Sequence, residues 1–194
     1  RGLSYLYGNE ADKAVGTFMR LRQQYPEVMA FHTALGQAQL ATGRTQEALG
    51  TLEHALVLAP RNVPVTVRYG EALLQAGRAK RAHEVLLDLF NNVPPTQEQI
   101  RLTAMAANAA GDVADAYSYM AEYHLMGGDL MLAINQLELA LSVPSITDQQ
   151  RAKFVARLKE VREWLPKERN RSKKPPDGQQ PDGQRSPDSP GWPG

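Results

Sequence analysis

A step of 34 residues runs through most of the chain and limits its fold more than any other feature. Gly2, Gly36 and Gly70 stand on that step, followed by Ala104. Ala14, Ala48, Ala82 and Ala116 repeat it, as do Phe18, Leu52, Leu86 and Met120. Turn formers keep the same register: Pro26, Pro60 and Pro94 in one series, Gly43, Gly77 and Gly111 in another. Five ladders in one register make each unit a supersecondary element that buries its apolar face against its neighbours.

Within a unit the residue types specify a helical hairpin. Small residues at Gly36 and Gly70, and at Ala48 and Ala82, let two helices, A and B, approach closely. Glycine at 43, 77 and 111 ends helix A in a left-handed conformation, and proline at 26, 60 and 94 stops helix B. The order His32-x2-Leu35-Gly36-x2-Gln39, then Ala48-x3-Leu52, then Pro60, resembles the tetratricopeptide repeat with two aromatic slots replaced. Thr66, Tyr69, Gly70, Leu73, Ala82, Leu86 and Pro94 repeat it. Tyr5, Ala14, Phe18 and Pro26 supply the second half of a unit whose start is missing, so the chain reads as a piece of a longer protein. The expected fold is an all-α tetratricopeptide-repeat solenoid over residues 1–165.

After Ala116 the period breaks. Ala133, Leu137 and Ala140 recreate the helix-B pattern, but Ala116 to Ala133 is only half a repeat. One helix from about Asp112 to Met126 must then close the unit begun by Gln97–Ala110. With Gly128 as its turn, it also acts as helix A for Leu130–Leu141. A last amphipathic helix, about Thr147–Leu165, carries Phe154, Leu158, Val161 and Trp164 on one face and reads as a cap.

From Pro166 onward Pro, Gly, Asp, Gln and Ser dominate, and Trp192 is the one large apolar residue. Such a segment buries too little apolar surface to offset the entropy of ordering, so residues 166–194 are expected to be a disordered tail. Its six basic and four acidic side chains leave residues 1–165 at −1, against +1 for the whole chain. That balance gives no reason to expect nucleic-acid binding. The basic stretch Lys167–Lys174 reads as a solvated spacer, and the spaced prolines Pro187, Pro190 and Pro193 only weakly resemble polyproline ligands. Without cysteine the chain forms no disulfide or thiolate metal site, and no apolar run approaches the ~20 residues that span a bilayer.

No constellation for catalysis or metal binding emerges. No two of His32, His54, His83 and His124 lie four apart, and His83-Glu84-Val85-Leu86-Leu87 has Leu where a zincin motif needs its second His. His32, in an aromatic slot of its unit, reads as a packed core histidine. The expected role is protein binding, along the groove that successive helices A line. The register points Leu3, Leu6, Tyr7, Thr33, Gln37, Leu40, Val67, Glu71, Leu74, Arg101, Met105 and Asn108 into it. Leu3, Leu40 and Leu74 are equally compatible with inter-repeat core. A groove that clamps carboxylates needs several cations and amides. Here only Arg101 and Asn108 qualify, opposed by Glu71. An extended, partly apolar polypeptide is the better fit.

The stretch from Ala116 through Leu141, with Ala121-Glu122, Leu125 and Gly127-Gly128, is more specific than a generic repeat. With Arg68–Leu86 and the Gln- and Arg-rich last helix ending near Trp164, it resembles the C-terminal repeat region of the BepA-like periplasmic zinc metalloproteases, the β-barrel assembly-enhancing proteases. The resemblance covers residues 1–165 and not the tail. It implies an upstream signal peptide and a protease domain whose H-E-x-x-H binds zinc; none of those residues lies in this chain. It further implies periplasmic localisation and a part in quality control of outer-membrane β-barrel proteins. The implied partners are the barrel assembly machine, unfolded barrel segments and the chain's own protease domain. The alternative is a free-standing scaffold or chaperone adaptor with no protease attached.

Overall fold

The computed structural model describes residues 10–165, which form nine α-helices and no strand. They are α1 (Ala11–Gln24), α2 (Met29–Ala41), α3 (Thr45–Leu58), α4 (Val63–Gln75), α5 (Ala79–Asn92), α6 (Gln97–Ala110), α7 (Val113–Met126), α8 (Leu130–Ser142) and α9 (Asp148–Glu163). Each helix packs on the next, and α4 lies against both α2 and α6. This is the all-α repeat solenoid that the 34-residue step specifies. The tail from Pro166 lies outside the described residues.

The hairpins close because one side of the contact has no side chain. A Cβ added at Gly36 would stand 2.7 Å from Leu52 Cγ, and one at Gly70 would stand 2.8 Å from Leu86 Cδ2. In the next unit Ala104 occupies that slot, in one cluster with the flexible Met120. Leu35, Leu52, Leu73 and Leu86 are all but fully buried around these contacts.

Two kinds of turn alternate along the chain. After α2, α4 and α6 come Gly43, Gly77 and Gly111, with φ of 74°, 72° and 92°, in the left-handed region that favours glycine. Each carries the same closing bond: the amides of Arg44, Arg78 and Asp112 donate to the carbonyls of Gln39, Leu73 and Ala107 at 2.8–2.9 Å. The other turns, after α1, α3 and α5, hold Pro26, Pro60 and Pro94. The alternation fails once. Gly128 (φ 80°) follows α7 with the same bond, Asp129 amide to His124 carbonyl at 2.9 Å. Two glycine turns therefore flank α7, which closes the hairpin begun by α6 and opens the one completed by α8. Buried Ala116 and Ala121 serve the two roles.

Counting that half-step, α9 is a helix A. Thr96 caps α6 with Gln99 in a reciprocal box, and Thr147 caps α9 with Gln150 in the same way, at equivalent positions. Phe154, Leu158 and Val161 face inward as expected. Trp164 does not: it is 49% exposed, and the Arg157 guanidinium lies 5.2 Å from its ring centroid. Val155 holds the slot of Gly36 and Gly70, and half of its surface is open.

Candidate interaction surface

The row α2, α4 and α6 carries the groove positions named from the sequence, and the structure sorts them into three groups. Leu40, Val67 and Leu74 pack against the central cluster around Leu73, Ala72 and Leu86. They are partly buried, so they contribute to the inter-repeat contact and keep part of their surface on the groove. Tyr7, with Leu3 and Leu6, lies outside the described residues. Thr33, Gln37, Glu71, Arg101, Met105 and Asn108 remain at least partly open.

Thr33 and Gln37 line a hollow of about 300 Å³ with Met29, Ala34, Asn62 and Pro64. The Thr33 hydroxyl donates to the Met29 carbonyl at 2.9 Å, so the hollow presents its methyl group and the Gln37 amide. Its far wall is the start of α4. There Asn62 accepts from the Val65 amide and Pro64 sits in the first turn, where no amide hydrogen is needed. On α6 the exposed Arg101 forks onto Glu98, with Nε donating to Oε2 at 3.0 Å. A further nitrogen contacts Met105 Sδ at 3.3 Å. The hydrogen bonds from Arg101, reinforced by its charge, hold the Glu98 carboxyl below its ordinary range. On α4, Glu71 accepts from Arg68 at 2.7 Å. The groove charges are thus cancelled within single helices, three residues apart, a pairing legible from Arg68-x2-Glu71 and Glu98-x2-Arg101. Met105, 48% exposed, and Asn108 complete an uncharged strip.

The period alone does not reveal the polar links between helices. His83 Nδ1–H donates to Asp112 Oδ2 at 2.8 Å, because a carboxylate only accepts. Its Nε2 then accepts from the Tyr119 hydroxyl at 3.2 Å. Burial, reinforced by Asp115 and Asp112, pushes the Tyr119 phenol well above its ordinary value. Arg157 of α9 forks onto Glu122 of α7 with two contacts of 2.7 Å, and Gln150 donates to Asp115 at 3.0 Å. The bonds from Arg157 to carboxylates, Glu122 first, raise its guanidinium above its ordinary value. His32 is a core histidine, with Nε2–H donating to the Pro26 carbonyl at 2.8 Å and the ring stacked on His54. Among the described residues no group of three His, Asp or Glu side chains stands ready for a metal, and no helix is long and apolar enough to cross a membrane.

Two family models described as tetratricopeptide repeat match the chain, one over residues 39–107 and one over residues 1–27. No curated protein sequence matches it. Among solved structures it is similar to MamA 41-end from Desulfovibrio magneticus RS-1, at 16% identity and TM-score 0.61, covering 86% of this chain and 93% of that one. A further MamA crystal structure gives 14% identity and TM-score 0.62, covering 84% and 94%. A thermophilic tetratricopeptide protein of Thermus thermophilus, TTC0263, gives 19% and 0.52, covering 81% and 95%. At these identities the likeness is one of fold. Residues 39–107 and 1–27 thus match tetratricopeptide repeats, an architecture that serves as a scaffold for protein–protein interaction.

Proposed function

We propose that the α2–α4–α6 row holds an extended, partly apolar polypeptide, and that it does so as the interaction region of a periplasmic zinc metalloprotease of the β-barrel assembly-enhancing kind. The observation that carries the first part is the pairing of the groove cations. Arg68 is committed to Glu71 and Arg101 to Glu98, which leaves Gln37, Met105, Asn108 and the Thr33 methyl as the contact surface. Amides bond to an extended backbone, and a thioether adapts to varied apolar side chains. A surface without unpaired cations suits an unfolded segment better than a fixed acidic terminus. The second part rests on the resemblance of Ala116–Leu141 and the last helix to that protease group.

In this setting the partners are the barrel assembly machine, stalled outer-membrane barrel segments and the protease domain, and the compartment is the periplasm. Zinc belongs to the upstream protease domain; the residues described here do not fit it, and no step of this region passes through it. The repeats act as a tether. A segment held beside a protease cleft has an effective concentration of the order of millimolar there. Affinity for each contact stays weak, so assembled clients leave. The test is photo-crosslinking from Gln37 and from Met105 in the full-length protein. Arg101, Met105 and Asn108 are also replaced by Ala, singly and together. Barrel substrates should crosslink from both positions, and the triple variant should lose most of the Gln37 signal while its circular dichroism is retained. Unchanged crosslinking in the folded triple variant removes the groove from the mechanism. The sequence upstream of Arg1 separates the protease from a scaffold: H-E-x-x-H after a signal peptide supports the first, further repeats the second.

A further inference from the structure

Between α3 and α5, across α4 from the groove row, lies a cleft of about 360 Å³. Leu56, Thr66, Val85 and Leu89 form its apolar floor. Arg61 stands on one wall, and Asp88 on the other beside the Arg81–Glu84 pair.

Comparison of the repeats with one another explains the opening. Thr66 holds the slot of His32 and Ile100, Asp88 that of His54, Leu56 that of Phe90, and Val85 that of Tyr119. In the preceding seam His32 and His54 stack with ring centroids 6.1 Å apart. In the following seam Phe90 and Tyr119 meet at 5.4 Å. Rings close both neighbouring seams. In the middle seam each of these four slots carries a smaller residue, and Tyr69 of α4 is packed in the central cluster without lining the cleft.

We propose that this cleft receives an aromatic side chain of a partner polypeptide, with an acidic residue next to that ring reaching Arg61. The floor offers aliphatic contact to a ring face, which is how aromatic residues anchor interfaces. Asp88 uses Oδ1 to accept from Asn92 at 3.2 Å, and its second oxygen is available to an indole N–H or a phenol O–H. Arg61 has no ion-pair partner among the described residues, whereas Arg81 is bound to Glu84 at 3.0 Å. The walls thus complement a donor on the ring and a negative charge beside it, and a tryptophan or tyrosine adjacent to aspartate or glutamate supplies both.

The test uses the full 194-residue chain, isotopically labelled, and the peptide acetyl-Gly-Asp-Trp-Asp-Gly-amide followed by amide chemical shifts. Shifts should centre on Leu56, Thr66 and Val85, and a peptide with Ala for Trp should produce none. Thr66→Ile installs the residue that the next repeat carries at this slot. It should keep the fold and weaken binding at least about tenfold, because the filled floor excludes the ring. Arg61→Ala, at an exposed position, should weaken binding about two- to fivefold, the usual worth of an exposed ion pair. Changing the peptide's Asp residues to Lys should do the same or more. The proposal is overturned by the absence of shifts at millimolar peptide, by equal binding of the Ala peptide, or by undiminished binding to folded Thr66→Ile. Shifts centred on α2, α4 and α6 would assign the ring to the groove instead. Binding seen only after residues 166–194 are removed would make the chain's own tail the occupant and end the assignment to a partner.

Discussion

The two halves of the solenoid join helix A to helix A with opposite chemistry. In the first half α4 presents Val65 and Ala72 to α2, both fully buried, and α6 brings Leu102 and Ala106 into the same cluster. In the second half α9 meets α7 through Gln150 and Arg157. Arg157 holds the register position of Ala72 and Ala106, and Gln150 that of Val65. One seam excludes water by size; the other is latched by charge-assisted hydrogen bonds at a partly open surface. The difference shows that a repeat preserves where helices meet while leaving the nature of the contact free. It also separates what salt can reach from what it cannot.

The strongest test asks whether the second half has an apolar core beneath its latch. Phe154→Ala removes a fully buried ring shared by α7, α8 and α9, and should destabilise by about 3–5 kcal/mol in urea melts. A loss below about 1 kcal/mol would mean that the ionic seam, with Leu158 and Val161, holds α9 without that ring. Next, Gly70→Ala forces Leu86 away from a helix it touches, and should destabilise by about 1–3 kcal/mol. Gly50→Ala is the control. Nothing lies within 4 Å of the added carbon, so it should stabilise by roughly 0.5–1 kcal/mol through helix propensity. Equal effects at the two glycines would refute size selection as the origin of the ladder. Arg157→Ala leaves Glu122 without its partner and should destabilise by about 1–2 kcal/mol. Raising salt to 1 M should shrink that difference and leave the Gly70→Ala difference unchanged. The smallest effect belongs to Glu98→Gln. Stability should move by less than about 0.5 kcal/mol, since the pair is exposed, while Arg101 is released for acidic ligands. The Glu98 carboxyl lies below its ordinary range. Its small contribution is therefore present at neutral pH and fades as pH falls through the folded-state value, a trend the Gln variant should lack.

These regions also differ in how far the sequence discloses them. Gly36 and Leu52, or Gly70 and Leu86, are legible because close packing demands a size at a fixed spacing, and a demand on size recurs every unit. Gly128 betrays the half-step for a different reason, because the left-handed turn after α7 demands a glycine. The groove is less legible: Leu40, Val67 and Leu74 share its register with Gln37 and Met105, and the period does not disclose that the three aliphatic chains also pack on the central cluster. Arg157 and Glu122 stand 35 residues apart and form no pattern, because an ionic contact requires only that two long side chains reach one another. Helical spacing assigns Trp164 inward, but the residue caps the end of α9, where its half-exposed ring lies beside the Arg157 guanidinium.

Val155 has one more implication. Where Gly36 lets Leu52 nestle against the helix axis, Val155 projects two methyl groups outward from the last helix A. A hairpin partner approaching as α3 approaches α2 would strike those methyls before its leucine could seat. The slot that Gly36 and Gly70 leave bare for a leucine is thus filled, on α9, by a branched and half-exposed side chain.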